Sequence, residues 1–254
     1  MKKVVMIGAG NVATSMALAL CGKCHVAQVY SRHLDNALAL AERVGCEATD
    51  NLGALADDAD FYVVSVVDDA IAEILREVPD NGAVWLHTSG SVPMSVFDGK
   101  RKRCGVLYPM QSFTKAMPAN MSEVHFFVEG SDPHITAEIS EFARLMSSHV
   151  QVADSEKRKN LHVAAVFACN FANHMWTLSA EVLEEAGMDF DAMKPLIKTT
   201  VEKLAHLSPA ESQTGPAQRG DKGIVKSHLA MLSGDKREIY KMLSESIMQR
   251  RKNN

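Results

Sequence analysis

The sequence predicts an α/β fold in which a doubly wound, mostly parallel sheet is followed by an all-helical C-terminal domain. Two observations lead to this prediction. From residue 1 to about 153, short apolar runs alternate with helical stretches, as in a parallel sheet covered by helices on both faces. After residue 153 the strand signals stop, and helical patterns continue along the rest of the 254-residue chain. We therefore expect domains at 1–153 and 154–254.

Seven apolar runs have the length and composition of β-strands. They are Val4–Ile7, Val26–Tyr30, Phe61–Val67, Ala83–His87, Gly105–Leu107, His125–Val128 and Val150–Val152. Helical stretches such as Asn36–Val44, Ala70–Val78 and Ile135–Ser148 separate most of them. We expect a sheet of about eight strands.

The N-terminal segment carries the most specific local signal. A short apolar run ends at Ile7 and passes directly into Gly8-Ala9-Gly10-Asn11-Val12-Ala13, after which a helix begins. A strand, a G-x-G-x-x-A turn and a helix in this order form the phosphate-binding corner of a Rossmann-like dinucleotide fold. Gly8 permits the tight turn, Gly10 lets backbone N–H groups approach a pyrophosphate, and Ala13 lets the helix pack on the strand. A glycine turn without a ligand is the alternative.

The end of the second predicted strand indicates which dinucleotide is bound. Val26–Tyr30 leads into Ser31-Arg32-His33, without the Asp or Glu that an NAD site usually places there for the ribose hydroxyls. A hydroxyl followed by a guanidinium suits a 2′-phosphate. We therefore predict NADP(H) as the cofactor, with Ser31 and Arg32 among its contacts. An ordinary solvated loop is the alternative.

Two further strand ends carry polar groups, and ligands of doubly wound sheets bind at the carboxyl ends of the strands. Ser65-Val66-Val67-Asp68-Asp69 ends one strand, although either Asp could instead cap the next helix. His87-Thr88-Ser89-Gly90-Ser91 ends another, beside the expected nicotinamide. The candidate cofactor contacts here are Ser65, Val66, His87 and Thr88, and Ser89 is a candidate catalytic residue. A turn rich in Ser and Gly for local reasons is the alternative.

Two loops offer candidate substrate contacts. Tyr108-Pro109-Met110-Gln111-Ser112-Phe113 is predicted to be a cleft loop in which Gln111 meets the substrate, with simple packing as an equal alternative. Thr214-Gly215-Pro216-Ala217-Gln218-Arg219-Gly220-Asp221 is a second loop, whose Arg219 could hold a carboxylate or a phosphate. A rigid connection with an internal ion pair is as consistent with its sequence.

A long helix is predicted from Ser155 to about Ala186, because neither Gly nor Pro interrupts this segment. Most of its sides are apolar, which predicts a buried helix. At 100° per residue, one polar stripe contains Lys159, His162, Val166, Asn170, Asn173, His174 and Thr177. Buried polar groups need partners, so the stripe should face a wet cleft or, alternatively, a helix–helix or subunit interface.

Composition and charge argue against several other classes. The formal net charge of −4 does not indicate a basic surface that would bind nucleic acid. No apolar run is as long as a membrane span. The first strand begins at residue 2 or 3, with no signal-peptide pattern before it. Five irregularly spaced cysteines fit reduced thiols and no metal site. We expect a cytoplasmic protein without a nucleic-acid or membrane partner.

Taken together, the motifs resemble those of bacterial NADP oxidoreductases that join a Rossmann-like domain to a C-terminal helical domain of unknown function. The likeness rests on the glycine turn and on residues 65–69, 87–91, 108–113 and 214–221, and it spans nearly the whole chain. More distantly, the chain is similar to pyrroline-5-carboxylate reductase and to the 6-phosphogluconate and β-hydroxyacid dehydrogenases. The resemblance implies a homodimer formed through the helical domain and a cleft between the domains. It supplies no substrate.

One catalytic pair of the β-hydroxyacid dehydrogenases is absent. Those enzymes use a Lys and an Asn one turn apart on the long helix. Here Val163 stands four residues after Lys159, and Val166 stands four residues before Asn170. This departure argues against a simple alcohol dehydrogenase mechanism.

Three functions are consistent with these residues. The first is an NADPH-dependent reductase of a small carbonyl or imine substrate that carries a carboxylate, with His174 or His162 as the proton donor. For this reductase, the residues expected to orient the substrate oxygen are Asn170 and Ser89. Further substrate contacts are expected from Gln111, Asn173 and Arg219. The second is a non-catalytic NADP(H)-binding sensor or scaffold. The third is a reductase of a flavin, a deazaflavin or a metal complex.

Overall fold

The computed structural model describes residues 1–117 and 119–251. The chain forms two compact units, an N-terminal unit that ends at Asn170 and a C-terminal unit that begins at Phe171. The expected boundary at 153/154 coincides with the change from strands to helices, whereas the two units divide inside the helical region that follows. The assignment of a separate function to 154–254 stays a prediction.

The N-terminal unit is built on a single sheet, in which the described residues form eight strands. They are β1 (Lys3–Ile7), β2 (His25–Tyr30), β3 (Glu47–Thr49), β4 (Phe61–Val64), β5 (Val84–His87), β6 (Cys104–Met110), β7 (His125–Gly130) and β8 (Val150–Val152). Their order is β3-β2-β1-β4-β5-β6-β7-β8, and every pair of neighbours is parallel except β6 and β7. The predicted Rossmann-like, doubly wound sheet is confirmed.

Helices cover both faces of this sheet. They are α1 (Asn11–Leu20), α2 (Leu34–Val44), α3 (Asp68–Glu77), α4 (Pro133–Arg144) and α5 (Ser155–Ala165). Successive residues of a strand point to opposite faces, so Val4 and Met6 of β1 join the apolar core beneath α1, α2 and α4. Val5 and Ile7 join a second core with α3. Two packed layers thus fix the carboxyl ends of the central strands.

Three strand predictions differ from the structure. β3 was not predicted, because Glu47–Thr49 is only three residues long and has no apolar run. The strand predicted at Phe61–Val67 ends at Val64, and Asp68 and Asp69 form the first turn of α3, where the helix dipole favours carboxylates. The predicted cleft loop from Tyr108 to Met110 belongs to β6. Pro109 is tolerated there because β5 pairs with β6 only as far as Val106, which leaves one edge of β6 unpaired.

The C-terminal unit is all-helical in its described residues, as predicted. It contains α6 (Ala172–Glu185), α7 (Lys194–Lys203), α8 (Pro216–Arg219), α9 (Lys222–Met231) and α10 (Gly234–Arg251). No helix in the described part of the chain is both long enough and apolar enough to cross a membrane.

The prediction of one regular, buried α-helix from Ser155 to Ala186 is wrong in two respects. Val166–Phe171, between α5 and α6, is π-helical. Its i→i+5 bonding adds residues to a turn, so the 100° stripe does not continue in phase past this segment. No described residue of α6 is buried either, and Trp176 is 38% exposed. The apolar side chains of α6 therefore remain partly or fully accessible among the described residues.

Candidate functional site

A cleft of about 680 Å³ lies at the carboxyl ends of the central strands, within the N-terminal unit. It brings together most of the predicted cofactor residues and three other candidates. These lining residues are Gly8, Gly10, Asn11, Val12, Ser31, Arg32, Ser65, Val66, Thr88, Ser89, Gln111 and His162. The topology explains this convergence, because β1 and β4 are neighbours in space while their following helices pack on opposite faces.

The two glycines of the turn have different environments. Gly8 has φ of +125°, and a β-carbon on it would lie 2.0 Å from the carbonyl oxygen of Ser65. Gly10 has an ordinary φ of −76°, and a β-carbon there would meet no heavy atom within 4 Å. Gly8 is thus required by the fold, whereas Gly10 leaves open space beside the start of α1. Ala13 is fully buried and allows the close packing of α1.

The start of α1 is suited to an anion. Gly10 provides no side-chain cap, and the first turn of the helix holds no acidic residue. The free N–H groups and the positive end of the helix dipole therefore favour phosphate. The Asn11 side chain donates a hydrogen bond of 3.0 Å to the carbonyl oxygen of Phe113, which ties the segment after β6 to this helix start.

The end of β2 presents a free guanidinium to the cleft. Arg32 is exposed, and no carboxylate among the described residues forms an ion pair with it. The backbone N–H of Ser31 is bonded to Thr49, so β3 holds the strand end in place. Asn36 also lines this part of the cleft and was missed, because its position inside a predicted helix gave no signal.

Hydroxyl groups from neighbouring strand ends meet in the middle of the cleft. The Thr88 hydroxyl donates to the Ser65 hydroxyl over 3.1 Å. The Ser89 hydroxyl oxygen accepts hydrogen bonds of 3.0 Å from the backbone N–H groups of Ser91 and Val92. Ser89 thus shapes its own loop and retains one O–H for a ligand.

His87 lies in the core rather than on the cleft, which corrects the prediction that its side chain contacts the cofactor. The ring is fully buried and stacks on Phe97, with 5.5 Å between the ring centroids. Nδ1 accepts a hydrogen bond from the Ser89 N–H at 3.2 Å. Burial, with a smaller effect from the positive charge of Arg158, lowers the pKa of His87 to about 3. His87 is therefore a neutral residue that supports the loop.

Tyr108 is a cleft residue that was not among the predicted site residues. Its hydroxyl oxygen lies 3.2 Å from Nδ1 of His162, so β6 and α5 meet through a polar pair. Gly90 packs against both rings, and a β-carbon on it would lie 2.7 Å from Nδ1 of His162. Burial raises the pKa of the Tyr108 hydroxyl. An aromatic residue at a strand end is the sequence feature that could have identified Tyr108 as a site residue. No pattern in the sequence predicts that its partner is His162.

A buried ion pair fixes α5 one turn before His162. Arg158 is 1% exposed, pairs with Glu129 of β7 and donates from Nη2 to the Val92 carbonyl at 2.7 Å. The Ser155 hydroxyl donates to the same carboxylate at 2.9 Å. Since residues four apart share a helix face, this anchor sets the position of His162. No pattern in the sequence predicts this pairing between β7 and α5.

The remaining candidates lie outside this cleft's lining. Asn170 is exposed and belongs to the π-helical segment. Asn173 and His174 are exposed residues of α6. Arg219 ends α8 and forms an ion pair of 3.1 Å with Asp221, which is the alternative that the sequence left open. Their roles toward a substrate stay predictions.

Two family models match the chain. Residues 3–85 match the NADP oxidoreductase family described as coenzyme F420-dependent, and residues 124–247 match a domain of unknown function, DUF2520. The comparison with curated proteins gave no match.

Solved structures resemble the whole chain. A Bacteroides fragilis protein assigned as an NADP oxidoreductase is 42% identical, with a TM-score of 0.93 and 98% of each chain covered. A reductive aminase from Aspergillus terreus, in complex with NADPH and ethyl-5-oxohexanoate, is 15% identical with a TM-score of 0.70, covering 98% of this chain and 94% of its own. Pyrroline-5-carboxylate reductase from Coxiella burnetii is 16% identical with a TM-score of 0.60, covering 99% and 98%. The last two share the fold.

Proposed function

The chain belongs to the NADP oxidoreductase family whose dinucleotide domain is joined to DUF2520, and from this premise we propose that it is an NADPH-dependent reductase of a small carbonyl or imine compound. The observation that carries the proposal is the cleft of the N-terminal unit. There an uncapped helix start, a free guanidinium and the polar pair of Tyr108 and His162 face one space.

The residues of the cleft fit an NADPH molecule. The open space at Gly10 and the N–H groups of α1 suit the pyrophosphate. Ser31 and Arg32 would hold the 2′-phosphate, because a guanidinium binds phosphate oxygens through a planar fork of N–H groups. Ser65 and Thr88 would flank the nicotinamide at the switch point of the sheet. When bound, the cofactor supplies a hydride, and the protein supplies orientation and a proton.

The proposed substrate class combines the cleft chemistry with two of the similar structures. One of these is a reductive aminase seen with NADPH and an oxo ester, and another is a pyrroline-5-carboxylate reductase. Within the N-terminal unit, Ser89 and Gln111 can donate hydrogen bonds to a substrate, and His162 can participate in proton transfer. We retain His174, Asn170, Asn173 and Arg219 as further candidates, with Arg219 as the proposed partner of a substrate carboxylate.

Cofactor binding tests the proposal directly. NADPH and NADH are titrated into the wild type and Arg32→Ala, and binding is followed by nicotinamide fluorescence. Loss of charge-assisted hydrogen bonds should weaken NADPH about tenfold or more and leave NADH unchanged. Arg43→Ala is the matched control, since Arg43 is an exposed arginine on α2 that does not line the cleft. If neither dinucleotide binds the wild type, the oxidoreductase proposal is wrong.

An acceptor screen separates a second candidate function. The model matched by residues 3–85 is described as coenzyme F420-dependent, which favours a deazaflavin as an alternative hydride acceptor. NADPH oxidation is measured with small oxo acids, with cyclic imines and with a deazaflavin. Turnover with the small compounds supports our proposal, and turnover with the deazaflavin alone supports the alternative. Tight binding of NADPH without turnover of any acceptor would indicate a sensor or scaffold.

We also propose that the protein is a homodimer associated through its C-terminal unit. Among the described residues of this unit, Ala217 and Val225 are the only buried apolar residues. Its exposed large apolar residues are Phe171, Trp176, Val182, Met188, Leu196, Val201, Leu204, Leu207, Ile224, Met231, Met242 and Leu243. A unit of this size needs a covered apolar core to be stable in water, and a second copy of the same helices can cover it.

A further inference from the structure

We infer that Tyr108, held by His162, donates the hydrogen bond and then the proton to the substrate atom next to the carbon that receives the hydride. This inference rests on the proposed reductase function and assigns a catalytic residue on β6. It differs from the sequence-based expectation, in which an imidazole of the long helix meets the substrate directly.

The position of Tyr108 in the cleft supports this role. The residue lies near the carboxyl end of β6, and the segment after neighbouring β5 contributes Thr88 and Ser89 to the same cleft. Its side chain lines the cleft although the residue is only 8% exposed, so little water competes for the hydroxyl. A hydrogen bond made in such a site is stronger than one in bulk water.

Gly90 keeps the pair together. A β-carbon at this position would lie 2.7 Å from Nδ1 of His162 and 2.9 Å from Cζ of Tyr108. Any side chain would therefore separate the two rings or displace them from the cleft. The loop after β5 thus supplies both a hydroxyl at Ser89 and the space in which the pair meets.

The hydrogen bonding of the pair allows one defined proton path. When His162 carries hydrogen on both ring nitrogens, Nδ1–H donates to the Tyr108 oxygen, and the phenolic O–H is free to donate to the substrate. As the substrate carbonyl accepts a hydride on carbon, its oxygen takes the Tyr108 proton and Tyr108 takes the Nδ1 proton. His162 is left with hydrogen on Nε2 only, and a proton from bulk solvent, the one proton that the overall reduction consumes, restores the hydrogen on Nδ1.

The surrounding charges suit this path. Burial raises the pKa of Tyr108, which keeps the phenol protonated and able to donate. The positive charge of Arg158 acts in the opposite direction and stabilises negative charge that develops on the phenolic oxygen. Because the same Arg158 anchors α5 through Glu129 and Val92, it also sets the position of His162 on that helix.

Sulfite binding to the NADP⁺ complex tests the inference without a substrate. Sulfite adds through sulfur to C4 of the nicotinamide and yields a dihydropyridine sulfonate, a non-redox addition detected by near-ultraviolet absorbance. The sulfonate oxygens then occupy the region of a substrate oxygen. Loss of one hydrogen bond to this anion in Tyr108→Phe should weaken sulfite binding about tenfold or more, while the Kd for NADP⁺ stays within about twofold.

Tyr62→Phe is the matched control. Tyr62 is a buried tyrosine of β4 whose hydroxyl donates to the Ala56 carbonyl, and it does not line the cleft. The NADP⁺ complex of Tyr62→Phe should bind sulfite as tightly as that of the wild type. If Tyr108→Phe also binds sulfite as tightly as the wild type, or if the wild-type NADP⁺ complex forms no adduct, the inference is wrong although the reductase proposal stands. Failure of the wild type to bind NADP⁺ overturns both.

Discussion

Gly8 faces the carbonyl oxygen of Ser65 so closely that a β-carbon on Gly8 would lie 2.0 Å from it. Two residues further on, a β-carbon on Gly10 would have no heavy atom within 4 Å. The two glycines of one motif therefore have different surroundings. Gly8 is constrained by the approach of β1 to the end of β4, whereas the space beside Gly10 is open.

Alanine substitutions should separate these roles. Gly8→Ala is expected to lose at least about 1–3 kcal/mol of unfolding free energy, because its φ of +125° and the contact with Ser65 both oppose a side chain. Gly10→Ala is expected to keep the stability of the wild type and to bind NADPH more weakly by tenfold or more. Chemical denaturation and nicotinamide fluorescence measure the two effects. Wild-type NADPH affinity in Gly10→Ala would show that the pyrophosphate does not lie beside this residue.

Features set by local sequence were predictable. Val4–Ile7 is a run long enough to read as a strand, and the glycine turn after it depends on residues adjacent in the chain. The convergence of Ser31, Ser65 and Thr88 followed from the rule that strand ends meet at one edge of a parallel sheet.

Features set by distant partners were not predictable. Tyr108 looked like a loop residue because proline follows it, yet pairing with β7 extends the strand through both. The sequence predicts that His87 contacts the cofactor, but its imidazole ring is enclosed by Phe97 and by the loop that contains Ser89. The π-helical turn at Val166–Phe171 has no sequence signature of its own, and it moves Asn170 out of the regular stripe.

The ion pair of Arg158 and Glu129 should contribute strongly to stability. Arg158→Met leaves a largely buried carboxylate without its partner, which is expected to cost about 3–5 kcal/mol of unfolding free energy. Glu129→Gln in the same background should recover part of that loss, because it removes the unpaired charge. Urea denaturation of the wild type, both single variants and the double variant gives the coupling energy. Additive effects of the two substitutions would show that the pair does not stabilise the fold as a unit.

His87 should make stability depend on pH. Its pKa is about 3 in the folded protein against an ordinary value of 6.5, so between these values the unfolded chain binds a proton that the folded protein does not. Stability contributed by the neutral ring is therefore complete above about pH 6.5 and declines as the pH falls toward 3. Within this window, His87 alone lowers the unfolding free energy by up to about 1.4 kcal/mol per pH unit.

His87→Asn removes the titrating group and can still accept the hydrogen bond from the Ser89 N–H. We expect a shallower slope of unfolding free energy between pH 7 and 5, whatever the absolute stability of the variant. Phe97→Leu serves as the control, since it disturbs the stacking on His87 but leaves the imidazole, and it should lower stability while keeping much of the slope. Equal slopes in His87→Asn and the wild type would mean that His87 does not contribute to the pH dependence of stability between pH 7 and 5.

The exposed apolar residues of the C-terminal unit lead to a prediction about association. Val201 is 56% exposed on α7 and lies with Trp176 and Leu196 around one apolar hollow. If a second copy covers this surface, Val201→Asp places an unpaired charge in the interface and should shift the protein from dimer to monomer in sedimentation equilibrium. Lys203→Glu changes the charge at an exposed position on the same helix that does not line the hollow, and it should leave the mass unchanged.

A wild-type protein that sediments as a monomer at micromolar concentration would contradict the proposed homodimer. A Val201→Asp variant that remains fully dimeric would instead place the interface on another face of the helical unit.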